Sequence, residues 1–169
     1  MAPVGCASLS PDQARIRLIR IRQTLESFYF RALRPDAYYV TSCRSDTPNC
    51  IAWAAGDLVN WWEPSGDPKH YWPHGAPLEY SVQAYIKAFE SCGYAQCSDA
   101  VLEPGFEKVA IYLDSQTAVP SHAARQLPSG AWTSKLGRLE DIEHHDLAGL
   151  SGPQPAYGSC GVFLKRLIS

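Results

Sequence analysis

The chain lacks a strong excess of charge of either sign, a long apolar run and any repeated or low-complexity segment. Its 15 Lys and Arg residues nearly balance its 17 Asp and Glu residues, which leaves a formal net charge of -2. So small a net charge gives no overall attraction to nucleic acid or anionic lipid, and neither is expected as a partner. No window approaches the roughly 18 consecutive apolar residues of a membrane-spanning helix. These absences indicate an ordinary globular protein, and its 169 residues fit one domain.

The first residues of the sequence also show no pattern typical of a secretion signal. Residues 1–10 have neither a basic stretch nor an apolar core, so no signal peptide is expected. Six cysteines are an even number, but in a chain of this length without a leader we interpret them as reduced thiols: Cys6, Cys43, Cys50, Cys92, Cys97 and Cys160. A cytoplasmic location follows as the expectation, while the oligomeric state stays open.

Helical patterns occupy the first half of the chain. Residues 10–13, Ser-Pro-Asp-Gln, form a capping box, and apolar residues at helical spacing after it predict a helix with a basic outer face. A second helix is predicted to start near Cys50 and to carry apolar residues at helical spacing as far as Trp61 or Trp62. A third is predicted over about residues 81–92.

Strand patterns occupy the second half, at residues 106–113, 121–127, 131–136 and 159–167. Pro128-Ser129-Gly130 predicts a hairpin whose register stays open, because a two-residue loop pairs Gln126 with Thr133 and a three-residue loop pairs Gln126 with Trp132. After the hairpin, a short helix is predicted to start at Asp141.

The order of these elements predicts the fold class. Helices followed by strands indicate an α+β fold, in which N-terminal helices pack on an antiparallel β-sheet. Residues 1–48 are expected to form an N-terminal extension with one helix, and residues 49–169 the core of the single domain.

A thiol stands in the first turn of the second predicted helix, within Asn49-Cys50-Ile51-Ala52-Trp53-Ala54. Unpaired backbone N–H groups in that turn stabilise an anion, so Cys50 should lose its proton more easily than a free thiol. The alternative is that Cys50 packs as a small apolar residue. Asn49 is either an oxyanion donor or a plain N-cap.

His122 is the best-placed base among the five histidines, because it alone begins a predicted strand. Strand alternation puts it on one face with Gln126. A catalytic imidazole needs an orienting partner, for which the candidates are Ser134 or Thr133, depending on the hairpin register, or Asp141. For Asp141 we weigh an N-cap role against this one.

Further candidates for substrate contact are Lys135 and the aromatic loop. Lys135 either binds a substrate carboxylate or is a solvated strand residue. The loop is rich in flat rings, which either line a groove for an extended peptide or sugar or fold back on the core: Trp61, Trp62, Tyr71 and Trp72.

Several blocks of the chain resemble a family of short uncharacterised bacterial proteins, from about Asn49 to Arg166. They are Asn49-Cys50-Ile51-Ala52-Trp53-Ala54, Tyr71-Trp72-Pro73, Phe89-Glu90, Gly93-Tyr94, Glu107-Lys108-Val109-Ala110, His122-Ala123-Ala124-Arg125-Gln126, Trp132-Thr133-Ser134-Lys135-Leu136-Gly137, Asp141-Ile142, His144 and Tyr157-Gly158. This resemblance implies no reaction, because the family has no established activity.

More remotely, the order of a helix cysteine, a strand histidine and a polar residue on the next strand is similar to papain-like cysteine hydrolases, including cell-wall amidases and deamidating effectors. That similarity implies Cys50 as nucleophile, His122 as general base and Ser134 as its orienting residue. The departure is that those enzymes usually use Asn, Asp, Gln or His for orientation, and none stands at residues 133–135. Asp141 or a serine would have to serve.

The expected function is therefore a papain-like cysteine hydrolase that acts on an amide bond of a peptide or protein, as peptidase, amidase or deamidase, without cofactor or metal. The first alternative is a non-catalytic binding or regulatory domain whose aromatic loop docks a partner. The second is a metal protein that uses His70, His74, His144, His145, Cys92 and Cys97. It is disfavoured because four residues separate the two cysteines, where many zinc sites have two.

Overall fold

The protein is described here by a computed structural model, in which residues 9–168 are placed. Two predictions fall outside these residues: that Cys6 is a reduced thiol, and that the first eight residues do not begin a signal peptide. The helices are α1 (Pro11–Thr24), which continues into a π-helical turn at Leu25–Tyr29, α2 (Cys50–Ala55) and α3 (Val82–Glu90). A 3₁₀ turn occupies Ala148–Leu150.

Seven strands form one antiparallel sheet in the order β1-β6-β5-β4-β3-β7-β2. They are β1 (Tyr38–Val40), β2 (Ala95–Cys97), β3 (Phe106–Leu113), β4 (Pro120–Gln126), β5 (Trp132–Lys135), β6 (Asp141–His144) and β7 (Ser159–Leu167). The predicted α+β class with an antiparallel sheet is confirmed.

Each face of the sheet carries its own apolar core. On one face, α2 and α3 pack against Val109, Ile111 and Ala123. On the other, the π-helical turn and the chain after it pack against Tyr112 and Ala124. Successive strand residues point to opposite faces, so Ala123 and Ala124 separate the two cores.

Two predicted helix boundaries are wrong. Helix α2 ends at Ala55 and does not reach the tryptophans, because Gly56 adopts a left-handed φ of 87° and closes the helix. No helix starts at Asp141, which is the first residue of β6 and lies opposite Lys135 of β5. The capping signal at Asp141 is local, and pairing with strands on both sides overrides it.

The open hairpin register is resolved in favour of the three-residue loop, because Gln126 pairs with Trp132.

The reduced-thiol prediction holds for four cysteines, Cys50, Cys92, Cys97 and Cys160. It is wrong at Cys43, which is disulfide-bonded. Compartment arguments do not decide which sulfurs a fold brings within bonding distance. No helix among residues 9–168 is long and apolar enough to cross a membrane.

Candidate active site

Asn49 fixes the start of α2 and ties it to the aromatic loop. Its Oδ1 accepts hydrogen bonds from the backbone N–H groups of Ala52 at 3.1 Å and Trp62 at 3.2 Å. Its Nδ2 donates to the Trp62 carbonyl at 2.7 Å. The N-cap interpretation of Asn49 is thus observed, and the amide proposed as an oxyanion donor already serves Trp62.

Cys50 is only partly exposed, and its helix α2 packs against β4. Burial raises the pKa of the thiol to about 11, against the opposing effect of backbone N–H groups of Ala123, Ile51 and Cys50 itself and of the Lys135 charge. The expectation of an easily ionised thiol is therefore wrong. The N–H groups do favour the anion, but loss of solvent outweighs them.

The sulfur reaches the sheet where two strands separate. The β4–β5 ladder has only the pairs Arg125 with Thr133 and Gln126 with Trp132. Strand N–H groups lie in the plane of the sheet. The Ala123 N–H, which favours the Cys50 anion, therefore stands at the opening beyond this ladder, next to the chain position of His122.

His122 belongs to a hydrogen-bonded relay of side chains that ends at a carbonyl. His144 Nδ1 lies 2.8 Å from the Asp146 carbonyl oxygen, and His144 Nε2 lies 2.9 Å from Ser134 Oγ. Ser134 Oγ in turn lies 3.0 Å from His122 Nε2. A carbonyl only accepts, so His144 Nδ1 must donate, and its Nε2 then accepts the hydroxyl proton of Ser134. His122 Nε2 is left to donate to Ser134.

This direction of donation determines the tautomer of His122. Its proton is on Nε2, so its Nδ1 carries a lone pair. Nδ1 is buried and forms no hydrogen bond within residues 9–168, including none to the Cys50 sulfur. The structure thus offers an unpaired basic nitrogen on a ring whose other nitrogen is held in place.

Both histidines of the relay are neutral near pH 7. Burial, with a smaller contribution from His144, lowers the pKa of His122 well below its usual value. Burial likewise lowers the pKa of His144 to about 4. The Tyr157 ring stacks on His122 with centroids 4.0 Å apart and planes 3° from parallel, which fixes the imidazole plane.

Lys135 is wholly buried, so its interpretation as a solvated residue is wrong. Its Nζ donates to the carbonyls of Ser45, Gly137 and Leu139 and lies 3.6 Å from Asp141 Oδ1. The bond to Ser45 joins β5 to the segment that precedes α2, and the bonds to Gly137 and Leu139 hold the turn after β5. Ser42 Oγ donates to Asp141 Oδ2 at 2.6 Å, and the structure does not bring Asp141 to the imidazole.

The remaining predicted contact residues are spread around this centre. Gln126 is 5% exposed, and its Nε2 donates to the Ala100 carbonyl at 3.0 Å. Trp62 is 4% exposed and packs in the core beneath α2, whereas Trp61 and Trp72 keep part of their surface. The loop therefore folds back on the core at Trp62 and remains accessible at its flanks.

Sequence reasoning missed His144 and Tyr157 as members of the site. His144 was assigned to a helix, although alternation from Ile142 would have put it on one face of a strand. Tyr157 lies in a loop between the 3₁₀ turn and β7, where no periodic signal exists. Only the packing of that loop over the sheet brings its ring onto His122.

Comparison with known proteins gives a family but no activity. Within residues 9–168, no group of three or more His, Cys, Asp or Glu side chains is arranged to hold a metal ion. No curated protein and no solved structure matches the chain. Residues 39–165 match the family described as Domain of unknown function (DUF7689), and the chain belongs to that family.

Proposed function

We propose that the protein is a papain-like, cysteine-dependent hydrolase of amide bonds in peptides or proteins. The observation that carries the proposal is the unpaired lone pair on His122 Nδ1, one residue before Ala123, whose backbone N–H favours the Cys50 anion. An orphaned buried nitrogen costs stability, and a general base for the neighbouring thiol is a role that explains it.

Ser134, His144 and the Asp146 carbonyl would together do the work that one Asn or Asp does in papain-like enzymes. They hold Nε2 protonated and leave Nδ1 to accept a proton. Residues 133–135 lack the Asn, Asp, Gln or His that orients the imidazole in papain-like enzymes. In this proposal His144 of β6 takes over that role through Ser134. Because the relay is neutral, the resting site is a thiol beside an imidazole and not a thiolate beside an imidazolium.

Catalysis from this state starts with proton transfer. As the Cys50 sulfur attacks the substrate carbonyl carbon, its proton passes to His122 Nδ1 and the carbonyl π electrons move onto oxygen. The C–N bond then breaks, and the imidazolium gives its proton to the leaving nitrogen. Water, deprotonated by the same Nδ1, releases the acyl group and restores the thiol.

The test compares two thiols of the same chain. Burial raises the pKa of both Cys50 and Cys160 to about 11, but the side-chain partner of Cys160 is Tyr112 and not a histidine. Iodoacetamide labelling at pH 7, followed by peptide mass spectrometry, should modify Cys50 at least about 10-fold faster than Cys160. His122→Asn should abolish that difference.

Equal labelling of the two thiols would contradict the proposal and favour the non-catalytic binding domain. Circular dichroism of the His122→Asn variant checks that the fold persists. The comparison is internal to one molecule, so differences in protein concentration or reagent quality do not affect it.

A cytoplasmic location is part of this proposal. The four free thiols fit a reducing compartment, whereas the disulfide at Cys43 is atypical of one. Cell fractionation tests it: we expect the protein in the cytoplasmic fraction, and recovery of the protein only from other fractions would contradict this location.

A further inference from the structure

The hydroxyl of Tyr85 has no hydrogen-bond partner among residues 9–168, although the residue is only 4% exposed. Its oxygen nevertheless keeps some contact with solvent. The hydroxyl is therefore reachable from outside. Buried tyrosine hydroxyls usually find a partner, and an unpaired one near the surface can serve a ligand.

Tyr85 stands on α3 in the same apolar core against which Cys50 packs. Its ring is held by the Trp72 indole, edge to face, with centroids 5.1 Å apart. Burial and then the nearby Cys50 thiol raise the pKa of Tyr85, with lesser effects of Tyr80 and Glu63. The hydroxyl thus remains a proton donor at neutral pH and lies within electrostatic reach of the sulfur.

Other donors around Cys50 are already engaged. The Asn49 amide donates to the Trp62 carbonyl, and the Lys135 ammonium donates to three carbonyls. If either group donated to an oxyanion instead, it would leave a buried carbonyl unpaired, which costs stability. The Tyr157 hydroxyl also has no hydrogen-bond partner among residues 9–168, but its ring stacks on His122 and packs in the core on the other face of the sheet. On the face where Cys50 packs, Tyr85 has an uncommitted donor proton.

We propose that the Tyr85 hydroxyl donates a hydrogen bond to the oxyanion that forms when Cys50 attacks a substrate carbonyl, an inference that rests on the proposed function. In that step the C–S bond forms, the carbonyl π bond breaks and the electron pair resides on oxygen. Tyr85 keeps its proton and shares it with that oxygen. The bond strengthens as charge develops, so it lowers the barrier more than it tightens substrate binding.

The experiment separates reactions that form an oxyanion from one that does not. Acylation of Cys50 by p-nitrophenyl acetate passes through a tetrahedral oxyanion, whereas alkylation by iodoacetamide displaces iodide directly and has none. Tyr85→Phe keeps the ring against Trp72 and removes only the hydroxyl. We expect its acylation rate to fall about 100-fold and its alkylation rate to stay within about 2-fold of the parent protein.

Tyr94→Phe is the matched control, because it removes a buried hydroxyl that donates to Glu107 at 2.6 Å. It should leave the ratio of the two rates unchanged. An unchanged acylation rate in Tyr85→Phe overturns the inference, and so does an equal fall in both rates, which would indicate altered packing. If the parent protein alkylates quickly at Cys50 but is never acylated, the hydrolase proposal itself fails and the role of Tyr85 falls with it.

Discussion

Lowering the pH from 7 to 5 should destabilise the folded protein through the buried histidines of the relay. The pKa of His144 falls from 6.5 to about 4 on folding, because burial penalises the charged ring. Between pH 6.5 and about 4, His144 binds a proton in the unfolded chain but stays neutral in the folded chain. The stability contributed by neutral His144 is thus present above pH 6.5 and is lost as the pH falls towards 4.

The size of the effect follows from the two pKa values of His144. A fall from 6.5 to about 4 corresponds to a loss of about 3 kcal/mol of unfolding free energy by pH 4. About 2 kcal/mol of it appears between pH 7 and pH 5. His122 acts in the same direction, since burial lowers its pKa too. Asp141 acts in the opposite direction, because burial raises its pKa.

Urea unfolding followed by tryptophan fluorescence measures this loss. With a slope of about 2 kcal/mol per molar urea, the midpoint should fall by about 1 M or more between pH 7 and pH 5. His144→Asn should reduce that fall by about 1 M, leaving the part that belongs to His122. His74→Asn, which removes an exposed histidine of the aromatic loop, should leave it unchanged. A midpoint that does not move with pH, or that moves equally in His144→Asn, would refute the assignment of a buried neutral relay.

Two substitutions, together with one control variant, test the packing around the site by urea unfolding. Gly158 has a φ of 81°, and a Cβ there would stand 1.8 Å from the Leu113 carbonyl oxygen, so Gly158→Ala should cost about 3 kcal/mol or more. Gly93→Ala, at a φ of 84° with open space, should cost only about 1 kcal/mol, and equal costs would contradict the clash. Lys135→Met should cost about 3 kcal/mol, because it leaves Asp141 buried without its cation, and a loss below about 1 kcal/mol would show that the ion pair is not needed.

Elements with a strong local signal were predicted well. The capping box before α1 is present, with Ser10 Oγ accepting from the Gln13 N–H. The predicted bounds of β3 and β7 agree with those observed, because each strand carries an apolar run that includes β-branched and aromatic residues, Val109-Ala110-Ile111-Tyr112-Leu113 and Val162-Phe163-Leu164. Strands β1 and β2 have three residues each, too few for any period to show, and they exist because longer neighbours pair with them.

The composition of the candidate site was predicted better than its electrostatics. Cys50, His122 and Ser134 were chosen from the sequence, and the structure joins His122 to Ser134. The pKa of the thiol was predicted in the wrong direction, because a helix start is a local feature and burial is a property of the whole fold. The same holds for Lys135, whose place on a short strand gave no sign that three carbonyls would surround it.

By itself, the sequence determined the sulfur at the head of a helix, the histidine on a strand and the α+β order, since each depends on residues a few positions apart. Tertiary structure alone decided which ring nitrogen is protonated. The Asp146 carbonyl imposes that choice on His122 through His144 and Ser134, across three separate segments of chain. Which group donates in each hydrogen bond depends on side chains that are close in space but distant in sequence, so no sequence pattern predicts it.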